Sequence, residues 1–569
     1  MGIDHYTVKR ADLFARNQLR LFLKPVVRIL ILVDEGISFN QYYFGLSEVL
    51  DTLYGLDGRP NEAFARFEIT RVHRSTDPEP PLDPSLHRYY KPNAENFRFT
   101  GATLSFYSAD GAVASTRAFD LDDYHEVWFF GFNSNTNNAD TPVGSPPPDA
   151  LTDAELSILA TWMEKKAGGV FATGDHATLG AALCSRIPRV RSMRRWTNAP
   201  PPQSGPNRHD TSRPGRDYAP STDNEAAYFS FDDESDDIPQ RIDVRRFLTP
   251  LGKGKLRRSV HPILCGRNGI INVLPDHPHE GEVVVPTDLT KTITFPGYSG
   301  LEYPEYRGAP LEPLVIADAE ILEGITDTNS FKGECNPKSF GVIGAWNGHL
   351  VSEADPWGRV VVDSTWHHWF DVNLTGRMRF GTSNSGFNAG EDADDPAKLL
   401  GFNATADGRD ALAKIREYFR NVAIWLAPPA VQRRMVRAAV WEATHSYPLI
   451  EELKGSIDPD AAGAIGYDVL MKMWGACSVI WYLPILIREW PPVFIERPHP
   501  ELVFEDALAA ERLVLGHLML ALRDAKKPGD VEELDEHVER GLARGLDALR
   551  ARPQLFTAAQ HMARFDCAL

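Results

Sequence analysis

Apolar residues form short unbroken runs over the first part of the chain and recur at helical spacing over the last third, so two kinds of architecture are expected in one polypeptide. The run Val26 to Val33 (VVRILILV), interrupted only by Arg28, has the pattern of a strand buried on both faces of a parallel sheet. It ends at Asp34. Helical spacing over Tyr42 to Leu53 and alternation over Phe67 to Thr70 then complete a strand–helix–strand opening. Prolines and short aromatic strands fill residues 74 to 125, and the strand Glu126 to Phe132 follows. After the polar, proline-rich loop Asn133 to Pro148, Thr152 and Glu155 form a capping box for a helix over Asp153 to Lys166. Gly168-Gly169 stops that helix, Val170 to Thr173 reads as another buried strand, and Gly174-Asp175-His176 turns into a helical pattern over Ala177 to Cys184.

Residues 197 to 240, rich in Pro, Ser, Asn and Asp, read as a long surface insertion. Strand signals return at Gly269 to Leu274, Leu314 to Ala317, Phe340 to Ala345 and Arg359 to Val362. The loop Gly381 to Pro396 marks a boundary, beyond which helices begin with Ala411 to Leu426 and end with Val531 to Leu549. The expected fold is α/β, a mostly parallel sheet with helices on both faces and long insertions over residues 1–400, followed by an all-helical region over 405–569. The apolar surface of Val479 to Ile487, Trp490 and Val493-Phe494 exceeds what one short helix hides, which predicts that the helical region packs directly on the first domain. The apolar stretch Met473 to Ile487, too short to span a bilayer and carrying Pro484, reads as a buried, kinked helix.

Composition narrows the partners. A net charge of −18 disfavours nucleic acid and anionic membrane surfaces. The five cysteines are odd in number and widely spaced, without a CxxC pair, so neither a disulfide framework nor a cysteine zinc site is indicated. No signal peptide is evident, and a cytoplasmic location is the expectation. A small-molecule substrate or ligand is the expected partner, with the C-terminal helices available for a homo-oligomer or a protein partner.

The order of buried strand, capped helix, Gly-Gly, buried strand, sharp turn and helix in residues 126 to 184 resembles the class I glutamine amidotransferase-like superfamily, which implies a flavodoxin-like fold. In that superfamily the strand-to-helix turn carries a cysteine nucleophile; here the matching positions hold Asp175-His176, which argues against glutaminase and cysteine-peptidase activity. Gly358-Arg359-Val360, three residues, then Ser364-Thr365-Trp366-His367 is similar to the closing strand of the trehalose-utilisation ThuA-like branch. His367 matches that branch's histidine, while Thr365 and Trp366 depart from its Leu-Gly. Its other histidine would fall on Gly174.

Three loops concentrate chemistry and hold five of the 17 histidines: Gly174-Asp175-His176, Pro275 to Glu280 and Asp363 to Trp369. Each follows an apolar strand, and ligands of open parallel sheets bind beyond the strands' carboxyl ends. In the catalytic reading His176 or His367 is a general base, oriented by Asp175 or Asp363. His277 and His279, one residue apart in an extended segment, would present both rings to a divalent ion such as zinc or manganese, with Glu280 as oxygen ligand. Asp34, Glu35, Asn133 and His368 are the candidate substrate contacts. The expected function is a hydrolase or other acid–base enzyme acting on a small polar, carbohydrate-like substrate. The alternative is a non-catalytic scaffold or ligand-binding protein that kept the fold without the cysteine. Each histidine also has a structural alternative as a hydrogen-bonded residue; for His367 and His368 it is one ring packed among Trp366 and Trp369 while the other caps a turn.

Overall fold

The computed structural model describes residues 24–34, 36–39, 44–55, 64–75, 91–108, 110–132, 150–174, 181–194, 240–250, 256–274, 283–306, 308–321, 338–352, 354–365, 367–376, 400–445, 453, 457–475, 479, 481–483, 485–486, 505–524 and 531–552. A nine-stranded sheet organises them. Its strands are β1 (Val26–Val33), β2 (Arg66–His73), β3 (Glu126–Gly131), β4 (Gly169–Gly174), β5 (Gln240–Val244), β6 (Val273–Leu274), β7 (Leu314–Ile321), β8 (Lys338–Trp346) and β9 (Val360–Asp363). Their order across the sheet is β6-β5-β7-β8-β9-β4-β3-β1-β2.

Five strands run parallel, in the order β2-β1-β3-β4-β9. The other four extend the sheet antiparallel from β9. Four of the parallel strands, β1, β3, β4 and β9, are mostly apolar runs, because both of their faces are covered, whereas the edge strand β2 (RFEITRVH) leaves Arg66 and Glu68 exposed. On β1, Val27, Ile29, Ile31 and Val33 enter one core while Leu30 and Leu32 enter the other, the alternation of a pleated strand. Helix α1 (Ser47–Tyr54) lies over the first face and α2 (Asp153–Lys165) over the second, with the expected Thr152–Glu155 capping box in place.

The apolar residues Gly269 to Leu274 do not make one strand. Gly269–Ile270 turns back on Cys265–Gly266 in a tight hairpin, helped by Gly269 at φ 100°, and only Val273–Leu274 joins the sheet.

The helical region follows as α3 (Ala406–Leu426), α4 (Pro429–Thr444), α5 (Pro459–Trp474), α6 (Glu505–Asp524) and α7 (Val531–Arg550). Helix α3 buries Leu412, Ile415, Tyr418, Phe419, Val422 and Leu426, a stripe at helical spacing. That stripe belongs to the same core as β1, Trp128, Phe171 and Val361, so sheet and helices share one hydrophobic interior. Helices α5, α6 and α7 continue it outward through Leu470, Leu515, Leu518, Val538 and Leu542. Helix α5 stops at Gly475, φ 95°, and Val479, Tyr482, Leu483 and Leu486 are buried beyond it, so the apolar stretch from Met473 breaks at this glycine. Among the described residues no helix is long and apolar enough to cross a membrane.

A buried polar site at the carboxyl ends of the parallel strands

The register aligns the strand ends. Val33 pairs with His73 and Phe130, Gly131 with Gly174, and Val362 with Ala172, so Asp34, Gly131, Gly174 and Ser364 begin their loops along one edge. The strand order reverses at β1, from which the chain goes out to β2 and then back across to β3.

Asp34 is fully buried at that reversal. Its Oδ1 accepts a hydrogen bond from the Phe132 N–H at 2.6 Å, tying the ends of β1 and β3 together. Arg194, also buried, donates to the Gly174 carbonyl at 3.0 Å. Between them Cys184 donates from its thiol to the Thr173 carbonyl at 3.6 Å. Burial, and secondarily the Asp34 charge, push the Cys184 thiol above its usual range, with Arg194 opposing. The thiol is thus held neutral and cannot take over the nucleophile's part at this turn.

At the end of β9 stands a second cluster. Asp363, Thr365, His368, Trp369 and Tyr418 are all buried, at 0 or 1% exposure. Asp363 Oδ1 accepts from the Thr365 N–H at 2.6 Å and the Thr365 hydroxyl at 2.5 Å. Its Oδ2 accepts from the Tyr418 hydroxyl at 2.6 Å and from Trp369 Nε1 at 3.3 Å, and His368 Nε2 lies 3.3 Å away. The Thr365 hydroxyl also meets His368 Nδ1. Stacked Trp369 and Phe419 rings, 4.7 Å apart, help wall in this cluster. Burial pushes the Tyr418 phenol well up, and the neighbouring Asp363 charge and the hydrogen bond to it push the same way. Tyr418 therefore stays a donor to Asp363.

The loop continues into Asp371, which caps α1 from 324 residues away: its carboxylate accepts from the Ser47 N–H at 3.0 Å, the Ser47 hydroxyl at 2.7 Å and the Glu48 N–H at 2.8 Å. Glu48 in turn pairs with Arg416 of α3 at 2.6 Å.

Of the residues singled out from sequence, Asp363 and His368 come together, and Asp34 stands on the same strand edge. His367 opens the 3-10 turn His367–Trp369, with its side chain outside the described residues. Glu35, Asn133, Asp175, His176, His277, His279 and Glu280 also lie outside the described residues. Among the described residues no group of three or more His, Cys, Asp or Glu is placed to hold a metal ion.

Neither of two large cavities, about 630 and 590 Å3, is lined by Asp34, Asp363 or His368. The basic run from Arg186 is drawn into internal pairing: Arg186 with Asp153, Arg191 with the buried Glu302, and Arg189 over the Trp346 ring at 4.7 Å. Tyr418 and Asp371 had no signal of function in the sequence beyond a tyrosine on a helix's apolar stripe and an acid after an aromatic pair. No family model, curated protein or solved structure matches this chain.

Proposed function

We propose that the chain is an acid–base enzyme of flavodoxin-like, class I glutamine amidotransferase-like fold that acts on a small polar, carbohydrate-like substrate at the carboxyl ends of its parallel strands. The observation that carries this reading is the reversal of strand order at β1 with Asp34 and Gly174 on the same edge, because a doubly wound sheet offers its ligand crevice at such a point. Asp175 and His176 follow Gly174 directly, and in this reading His176 is the base and Asp175 its orienting partner. Asp363 is already engaged by Thr365 and Tyr418, so it and His368 support the edge from beneath rather than meet substrate. A zinc or manganese ion on His277, His279 and Glu280 would activate water. The buried Cys184 thiol, outside any disulfide, fits a reducing, cytoplasmic setting.

The test assays the purified full chain against small glycosides, lactones and amides, with and without added zinc or manganese, beside Asp175→Asn and His176→Ala. Turnover reduced about 100-fold or more in both variants supports the reading. Turnover untouched by both, or absent from the parent on every substrate class, counts against it. Elemental analysis of the parent and of His277→Ala separates the metal part: no bound metal in the parent removes it.

The complete enclosure of Asp363 and His368 favours a second reading, a non-catalytic ligand-binding or scaffold protein that keeps the fold for assembly. Ligand binding without turnover by the same preparation would select it.

A further inference from the structure

Strand β2 closes one side of the nine-stranded sheet, with β1 as its only strand neighbour among the described residues. The Arg66 N–H donates to the Pro25 carbonyl, so the backbone groups of Arg66, Glu68, Thr70 and Val72 face β1 and those of Phe67, Ile69, Arg71 and His73 face outward. The later half of this outward edge is covered. Asn93 Oδ1 accepts the Arg71 N–H, the Asn93 N–H donates to the Arg71 carbonyl, and the His73 N–H donates to the Ala94 carbonyl. The earlier half is not covered. The Ile69 carbonyl accepts the Tyr54 hydroxyl at 3.3 Å, which leaves the Phe67 N–H, the Phe67 carbonyl and the Ile69 N–H without a hydrogen-bond partner among the described residues.

A groove of about 630 Å3 runs along this earlier half. Phe67, Glu68, Ile69 and Thr70 all line it, and alternate residues of a strand point to opposite faces, so the groove opens onto the strand's edge rather than onto one face. Its two sides differ in chemistry. Beside Phe67 and Ile69 stands Tyr54, the last residue of α1, packed on the same core as they are. Beside Glu68 and Thr70 stand Tyr124 and the hairpin of Thr103–Tyr107 with Val113–Ala118, which contributes Phe106, Ser115 and Arg117. Arg28 pairs with Glu68 and Arg117 with Asp123, each at 3.3 Å and each about half exposed, so the charges of this side cancel. An anion would have to break one of these pairs, whereas neutral polar side chains can lie against both.

We propose that this groove takes a short extended peptide segment of a partner protein, which adds a further strand beside β2 and turns apolar side chains toward Tyr54 and neutral polar ones toward the hairpin. An N–H, a carbonyl and a second N–H in a row at strand spacing are the groups with which an added strand pairs. In either strand direction one guest residue gives its N–H to the Phe67 carbonyl, and it and the residue two positions before it offer their carbonyls to the two N–H groups. Tyr54 and the hairpin wall the groove on both sides of the edge, so it fits one narrow strand better than the covered edge of a second sheet. The site is independent of the acid–base reading, because it shares no residue with the cluster at the strand ends.

The test uses the purified full chain and an acetylated, amidated heptapeptide of alternating valine and threonine, followed by isothermal titration and by hydrogen exchange of the segment 64–72. Saturable binding is expected, with exchange of that segment slowed when the peptide is present. Two analogues, N-methylated at all the valines or at all the threonines, separate backbone pairing from apolar contact. One should bind about tenfold or more weaker, because its donor to the Phe67 carbonyl is gone, while the other stays within about threefold of the parent peptide. Ser115→Trp, an exposed change on the hairpin, should fill the groove and weaken the peptide by about tenfold with the melting temperature unchanged. No saturation by the unmethylated peptide, equal losses from both analogues, or equal affinity in the parent chain and Ser115→Trp overturns the proposal. So does a dimer, seen in sedimentation, that slows exchange of the segment 64–72 without any peptide, because the edge then belongs to a second copy of the chain.

Discussion

Asp363 and Glu126 are both fully buried carboxyl groups of one sheet, at the carboxyl end of β9 and the first position of β3, yet the protein treats them in opposite ways. Asp363 collects donors from Thr365, Trp369 and Tyr418, all within 3.3 Å. Glu126 receives one hydrogen bond, from Trp128 Nε1 at 2.8 Å, and its Oε1 has no partner among the described residues. Burial pushes the Glu126 pKa well above the usual carboxylate range, and the Trp128 bond offsets this only in part. Several donors satisfy the oxygens of a buried carboxyl group, and where only one reaches it burial works against the charged form. The donors at Asp363 come from the strand–turn itself and from α3, so that end of the sheet is complete only when the helical region is docked.

The largest expected effect is at Asp363. Asp363→Ala would leave the Thr365 and Tyr418 hydroxyls and Trp369 Nε1 buried without their acceptor, and should cost about 3–5 kcal/mol in urea unfolding. Tyr418→Phe removes one donor and should cost about 1 kcal/mol. A loss at Asp363 no larger than that at Tyr418 would break the comparison, because the carboxylate would then not be the hub of the cluster.

Helix α3 brings the second test. A Cβ on Gly169 would stand 2.5 Å from the Leu426 carbonyl oxygen and 2.8 Å from its Cβ, so Gly169→Ala must push the end of α3 off the sheet. We expect about 1–3 kcal/mol of destabilisation, measured by the same unfolding curves. Tyr418 and Leu426 are two helical turns apart, so the costs of Gly169→Ala and Tyr418→Phe should add within about 0.5 kcal/mol. Strong coupling between them would mean that α3 docks as one rigid lever and that the Asp363 end senses its far terminus.

These two sites also show what the sequence makes legible. The run Val26–Val33, the Thr152–Glu155 capping box and the strand before Gly174 carry local signals, each spelled within a few residues, and the structure has each of them. The Gly168-Gly169 pair reads as a helix stop, while the reason for the second glycine, the approach of Leu426, lies 257 positions away. The antiparallel half escaped in part because β5 (QRIDV) has only Ile242 and Val244 facing the core, an alternation too short to stand out beside a polar insertion. Asp363 and His368 were visible as chemistry at a strand end, but not the fate of that chemistry, because Tyr418, which completes the cluster, comes from a helix read only for its apolar stripe. Sequence pattern registers what a residue type can do; which partners reach it is decided by tertiary packing.

The smallest effect at mildly acidic pH is at Glu126, where its pH dependence is more telling than its size. Glu126→Gln keeps the shape and the acceptor for Trp128 and replaces a group that is already neutral, so at pH 5 the variant should lie within about 1 kcal/mol of the parent. The folded-state pKa of Glu126 is raised, so its contribution to stability is fully present below the unfolded value near 4.5 and is lost as pH rises toward the folded value. Over that range unfolding releases a proton from Glu126 and becomes progressively easier for the parent. The glutamine has no proton to release. Urea midpoints taken from pH 5 to 8 should therefore diverge in favour of the variant, most at the alkaline end. The same series on Asp363→Asn should show no gain at any pH, because there the amide cannot serve the donors that converge on a carboxylate. Parallel curves for Glu126→Gln and its parent would mean that Glu126 ionises alike in folded and unfolded chains, and the contrast between the two ends of the sheet would then fail at its neutral end.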